Sequence, residues 1–400
     1  MVILSSAKSL LLKPFGFIES LVHKFPRFYL GCVVLLALSG YAFVLLFPLL
    51  VPVGLLNIYE TFVPGDIANW QTALIWLAVV LVAAVVSYRM TQIKPKTPFG
   101  LTLPENKAPE LFKLVRQHHA YFKRPEIHRI VITADYELDI VKTPRWALPV
   151  WSTNTMVIGL PVLQSLSKQQ FECVVARRIG QFSKRYNTLT NWLYQLRAIW
   201  QQYRVIYRKQ SSFGFEPLKW FFTAYAPFYT AVSSHAARLD ELNADTYAME
   251  LFNHEDVLEM ITADALCRWY LQKQFWPAVY KIASVETKSL PTPHTKMASA
   301  LQAFKSGDKL DSLIGIVYKE KPRPGDAMPS LQDRIKNIGH DKPQMKEPTT
   351  GNAAEIYLGA SVKGVIDVID KLWLKSFLEQ RKLRHQNKQK RVASEQVTST

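Results

Sequence analysis

Two long stretches without a single charged side chain constrain this chain more than anything else in it. The first runs from Phe28 to Tyr59 and the second from Ile67 to Tyr88. Each exceeds the roughly 20 residues a helix needs to cross a bilayer. Aromatic residues stand at their ends (Phe28, Tyr29, Tyr59, Trp70 and Tyr88), where headgroups would lie. The sequence therefore predicts two transmembrane helices over 28–90, with Pro48 and Pro52 kinking or ending the first on one side. A cleavable signal peptide fits the first run poorly. It is too long for an apolar leader core and is not followed by a small-residue cleavage pattern.

The charges around these runs predict an orientation. Lys8, Lys13, Lys24 and Arg27 precede the first run, and Arg89, Lys94 and Lys96 follow the second. The connection carries Glu60 and Asp66 but no Lys or Arg. By the positive-inside rule the connection faces outward, and the N-terminus and the large remainder face the cytoplasm. The expectation is a multi-pass protein of the cytoplasmic (inner) membrane, with a basic amphipathic lead over 1–27.

The net charge of +17 implies an anionic partner surface. The apolar runs make that surface lipid, and no nucleic-acid-reading motif accompanies the charge. Arg381, Lys382, Arg384, Lys388, Lys390 and Arg391 crowd the C-terminus with almost no apolar residues beyond Leu383. Residues 384–400 are expected to be a disordered basic tail attracted to anionic headgroups. Three widely spaced cysteines, Cys32, Cys173 and Cys267, exclude a disulfide framework and a thiolate zinc site.

Residues 100–345 read as a separate domain. An amphipathic helix is predicted over 108–122, followed by short strands at 128–133, 137–141 and 155–160. Ser167 stands three residues before Gln170, a capping-box spacing that starts a helix near Lys168. That helix carries Phe171, Val174, Val175 and Ile179 at helical intervals. Further helices are expected over 187–208, from Arg238 to about Leu251, and over 353–383 in a C-terminal extension (346–383). Trp220, Phe221, Phe222, Tyr225, Phe228 and Tyr229 make 217–232 strongly aromatic and too short to span alone; burial within the domain is expected, with a dip into lipid as the alternative.

Four local patterns bear on function. Met156–Leu163 reads as a strand and turn ahead of a helix. Leu166–Ala176 opens that helix and leads into Arg177, Arg178, Ile179, Gly180 and Gln181. Arg238 precedes Glu241, Leu242, Asn243, Ala244 and Asp245, and Pro329 precedes Arg334 and Ile335. Together these resemble the HtpX-like family of membrane zinc metallopeptidases over roughly residues 100 to 340. The resemblance implies a mainly α fold with a small β-sheet, an α+β zincin-like domain, behind the pair of transmembrane helices. In that family one helix supplies H-E-x-x-H, two zinc ligands and a general base. A second helix supplies E-x-x-A-D, a ligand Glu and a supporting Asp.

By that resemblance Glu241 stands at the ligand position and Asp245 at the supporting position. Arg177 and Gln181 replace the histidines and Arg178 replaces the base. A guanidinium cannot ligate zinc, and Arg178 cannot take a proton from water. The reading is a membrane-anchored homologue without catalysis and without a cofactor. Its old site is expected to be a salt bridge joining Arg177 and Arg178 to Glu241 and Asp245. It would bind an unidentified peptide or protein, with the strand at Met156, Val157 and Ile158 as the edge that accepts an extended chain, in a role such as membrane protein quality control. Two alternatives stand beside it: an active zinc peptidase with unconventional ligands, and a membrane-attached structural protein.

Overall fold

The computed structural model describes residues 22, 24–62, 70–92, 98–123, 126–145, 148–183, 188–285, 291–323, 325–345 and 351–397. The lead over 1–21 and most of the connection between the apolar runs lie outside them.

Each charge-free run forms one helix. Helix α1 spans Pro26–Thr61 and α2 spans Trp70–Thr91, and both are long and apolar enough to cross a membrane. Only 28% of each apolar window is buried by protein, too little for the core helices of a soluble domain. Of the two outcomes expected at Pro48 and Pro52, an end to the helix does not occur: both lie inside α1. Proline is tolerated inside apolar spans, where neighbouring groups can absorb the lost hydrogen bond.

The remainder is mostly helical around a four-stranded mixed sheet. The strands are β1 (Leu101–Leu103), β2 (Arg129–Thr133), β3 (Leu138–Arg145) and β4 (Leu148–Gly159), in the order β1-β2-β4-β3. β2 pairs parallel to β4, with Ile130 opposite Met156 and Ile132 opposite Ile158. β3 pairs antiparallel to β4 on its other side, with Ile140 opposite Met156. Met156, Val157 and Ile158 therefore belong to an interior strand and are not an edge. Their unbroken apolar run fits that position, because an interior strand covered on both faces does not alternate.

Helix α3 (Pro109–Phe122) packs beside α5 (Lys168–Gln181), which begins at Ser167 with the expected capping box. α4 (Leu160–Ser165) links β4 to α5. After α6 (Thr188–Arg208) and α7 (Glu216–Val232), α8 (Ser234–Ala248) returns against α5, and α9 (His254–Tyr270) packs on α5 as well. The chain continues through α10 (Trp276–Val285), α11 (Pro293–Lys305), α12 (Leu310–Lys319), α13 (Leu331–Asn337), α14 (Ala353–Leu358) and α15 (Val362–Val397).

One apolar core lies between the sheet, α3, α5 and α9. A second joins α1 and α2 to α6 and α7 through Tyr29, Val33, Trp200, Phe222 and Tyr229. The aromatic stretch is thus only half buried: Leu218, Phe222, Tyr225, Ala226 and Tyr229 face inward. α15 also departs from expectation. The basic segment continues as helix to Val397 rather than leaving the fold as a disordered tail. Lys, Arg, Gln and Glu are good helix formers, and the packed turn around Val365 and Ile369 has already nucleated the helix they extend.

Candidate functional site

The site forms where α5 crosses α8. Gly180 permits the close approach: a Cβ there would stand 2.8 Å from the Tyr247 Cβ and 3.1 Å from the Phe122 ring. With the helices this close, Arg177 and Arg178 face Glu241 and Asp245 across the junction. All four are buried, Asp245 completely.

Arg177 donates from Nε to Asp245 Oδ1 at 2.5 Å and from Nη2 to Glu241 Oε2 at 2.5 Å. The same Nη2 reaches the Glu241 backbone carbonyl at 3.1 Å. Arg178 Nη1 donates to the other carboxylate oxygen, Glu241 Oε1, at 3.1 Å and to Gln181 Oε1 at 2.5 Å. Gln181 turns its amide to Asp240, donating from Nε2 to Oδ2 at 2.8 Å. It therefore points beside Glu241 rather than at it.

Sequence reasoning left several members of this cluster unassigned. Arg334 on α13 grips Asp245 with two bonds, Nε to Oδ2 at 2.9 Å and Nη2 to Oδ1 at 2.8 Å. It also reaches Asp264 on α9 at 3.4 Å. Asp139 on β3 lies 3.7 Å from Arg178. Thr190 on α6 donates to Asp240 at 3.0 Å. The signal for Arg334 was its place in the late Pro329–Ile335 pattern; Asp139, Asp240 and Thr190 carried none. Arg238 turns outward and donates to the carbonyls of Arg323 and Asp326, pinning the Pro-rich loop beside the junction. His235 packs edge-on against Tyr29, away from the cluster.

The charges settle in opposite directions. Burial opposes the charge on Glu241, but Arg178 and Arg177 outweigh it and hold the carboxyl well below the usual carboxylate range. Burial likewise opposes the charge on Arg178, and Glu241 and Asp139 reverse that too. Among the described residues, no guanidinium pairs with Asp240. Burial pushes it up to about 6, against the hydrogen bonds from Gln181 and Thr190, while Glu241 adds repulsion.

A raised folded-state value means that Asp240 contributes most below its unfolded value, and that this contribution is lost as pH rises through about 6. A shift of this size corresponds to about 3 kcal/mol at most. Asp240→Asn keeps an acceptor for Gln181 and lets Thr190 accept. It is expected to raise the unfolding midpoint at pH 7.5, with the gain fading below pH 5. Variant and wild-type profiles running parallel across that range would refute the assignment.

The zinc that the family resemblance implies does not fit these residues. Both oxygens of Glu241 and both of Asp245 accept from guanidinium N–H groups, and Gln181 is committed to Arg178 and Asp240. Among the described residues, no three His, Cys, Asp or Glu side chains converge as a ligand set. The void left among Arg177, Arg178, Asp264 and Arg334 measures about 20 Å³, room for about one water.

Fold and site together define a mostly helical chain with a small mixed sheet and two helices of membrane-crossing length. Its central helix crossing is bound by a buried guanidinium–carboxylate network. No protein-family model matches the chain, and no curated protein matches it by sequence. Among solved structures it is similar to the crystal structure of S. mikatae Ste24p. That likeness has 18% identity, covers 84% of this chain and 74% of that one, and has a TM-score of 0.29.

Proposed function

We propose that this chain is a membrane-anchored, non-catalytic homologue of the HtpX-like metallopeptidases that binds a peptide or protein at the membrane. One observation carries the reading. Where a peptidase would hold its metal, three guanidinium groups occupy every carboxylate oxygen of Glu241 and Asp245. Fixed cations replace a removable one, so the helix junction keeps its charge balance without an electrophile or a general base.

In this reading α1 and α2 cross the inner membrane and the large domain faces the cytoplasm, in keeping with the basic residues that flank them. The basic residues in the sequence of the C-terminal segment add attraction to anionic headgroups. The strand that could accept an extended peptide is β3, the outer strand beside the junction, since β4 is paired on both sides. Asp139 on β3 caps the Ile140 N–H at 2.8 Å, so a docking strand would displace that contact.

The test is metal analysis and casein cleavage on full-length protein purified in detergent, with and without chelator. Zinc far below one per chain and no chelator-sensitive cleavage are expected. Stoichiometric zinc together with chelator-sensitive cleavage would overturn the proposal.

A further inference from the structure

The connection between α6 and α7 exposes two large aromatic side chains. Phe213 is 75% exposed and Trp220 is 78% exposed. Exposed aromatics at a hairpin tip call for a covering surface, and three observations say which one.

The first is depth. The tip packs against the charged end of α2. A Cβ on Gly214, whose φ of +91° suits glycine, would stand 2.9 Å from Val85 Cγ1. The Arg89 guanidinium lies 5.8 Å from the centre of the Phe215 ring. The tip is therefore level with the point where the apolar run of α2 ends in a cation.

The second is continuity. α7 runs along α1, with Phe221 stacked on Phe43 at 3.8 Å, Tyr225 bonded to the Leu36 carbonyl and Tyr29 bonded to Val232 O at 2.7 Å. From Trp220 to Val232 there is no charged residue, and Phe228 on this stretch is exposed. The uncovered face of α7 thus continues the apolar outer surface of α1 and α2.

The third is charge. Arg208, Lys209 and Lys219 are exposed beside the two aromatics. The one acid of the tip, Glu216, is exposed and accepts the Gly214 N–H at 2.9 Å, so it stands against three cations. Aromatic side chains among cations match the headgroup boundary of an anionic leaflet.

We propose that the α6–α7 tip, through Phe213 and Trp220, inserts into the headgroup boundary of the bilayer that α1 and α2 cross. The inference rests on those helices crossing a bilayer, and its test separates the two. Full-length Cys32→Ala protein, in which Cys173 and Cys267 stay buried, is labelled with an environment-sensitive fluorophore at one added cysteine. The sites are Phe213→Cys, Trp220→Cys, Leu77→Cys within α2 and the exposed Lys336→Cys. Labelled protein is reconstituted into phosphatidylcholine–phosphatidylglycerol vesicles containing lipids brominated near the top of the acyl chain.

Both tip labels are expected to shift to the blue and lose emission to bromine, while the Lys336 label does neither. Omitting phosphatidylglycerol is expected to weaken the tip signals and leave the Leu77 signal. A quenched Leu77 label with tip labels open to aqueous iodide refutes the insertion. Tip labels shielded from both quenchers refute it in favour of a protein partner. Tip quenching indifferent to phosphatidylglycerol removes the anionic preference. An unquenched Leu77 label overturns the membrane crossing itself.

Discussion

Arg177→Met is expected to lower the thermal unfolding midpoint by about 10 °C, whereas Arg116→Met should change it little. The two arginines make ion pairs of nearly equal length: Arg177 to Glu241 at 2.5 Å and Arg116 to Glu105 at 2.6 Å. Geometry does not separate them, but burial does. The side chains of the Arg177 pair are 4% and 1% exposed, those of the Arg116 pair 60% and 55%. An exposed pair contributes about 0–1 kcal/mol, because water and salt screen it. Removing one partner of a buried pair strands the other charge without solvent and costs about 3–5 kcal/mol, which for a domain of this size corresponds to the midpoint drop above.

The group left short of a cation is Glu241 rather than Asp245, since only Arg178 on Oε1 remains to it. Asp245 keeps both bonds from Arg334, while Glu241 Oε2 loses its Arg177 donor. The double variant Arg177→Met, Glu241→Leu should therefore be less damaging than the sum of its parts, since it removes the stranded charge together with its partner. The measurement is a midpoint for each variant in one detergent at fixed protein concentration. Equal effects at Arg177 and Arg116, or strict additivity in the double variant, would show that the network does not hold the junction.

Which parts of this arrangement could be read from the chain follows from the range of the signals. A helix period is local. It places Arg177, Arg178 and Gln181 on α5 and Glu241 and Asp245 on α8, and the capping box at Ser167 fixes where α5 begins. The charge-free runs are equally local, and they become α1 and α2. Long-range choices were less legible. Arg334 lies 89 residues from Asp245 and was visible only as part of a pattern, not as a partner.

The interior position of β4 was in principle readable, because Met156, Val157 and Ile158 do not alternate with polar residues as a half-exposed strand does. Treating them as an edge overlooked that. The C-terminal basic residues were misjudged for a different reason. Low apolar content rules out an independent core, but it does not prevent a helix already packed at Val365 and Ile369 from continuing. Trp220 and Phe222 are two residues apart in one aromatic run, yet one faces out and the other in, and only the packing of α7 against α1 and α6 decides which.

Arg177→His, Arg178→Glu and Gln181→His together are expected to create zinc binding at about one ion per chain. The substitution at Arg177 and Arg178 frees both oxygens of Glu241, since each is held by one of the two removed guanidiniums. The two imidazoles stand four residues apart on one helix face, so they can converge on that carboxylate. Asp245 remains gripped by Arg334 from α13, so that carboxylate stays paired while the ion pairs across the α5–α8 crossing are removed. Without metal, the substituted Glu faces Glu241 with no cation between them, so the apo variant should unfold well below the parent protein. Zinc should then raise its midpoint in a concentration-dependent way, because only the folded state assembles the ligands. Adding Glu241→Gln to the three changes should abolish both the bound metal and the thermal response. A variant that folds, as judged by far-ultraviolet circular dichroism, yet takes up no zinc would mean that the α5–α8 crossing does not carry peptidase geometry, and the proposed descent from a metal-dependent hydrolase would fall with it.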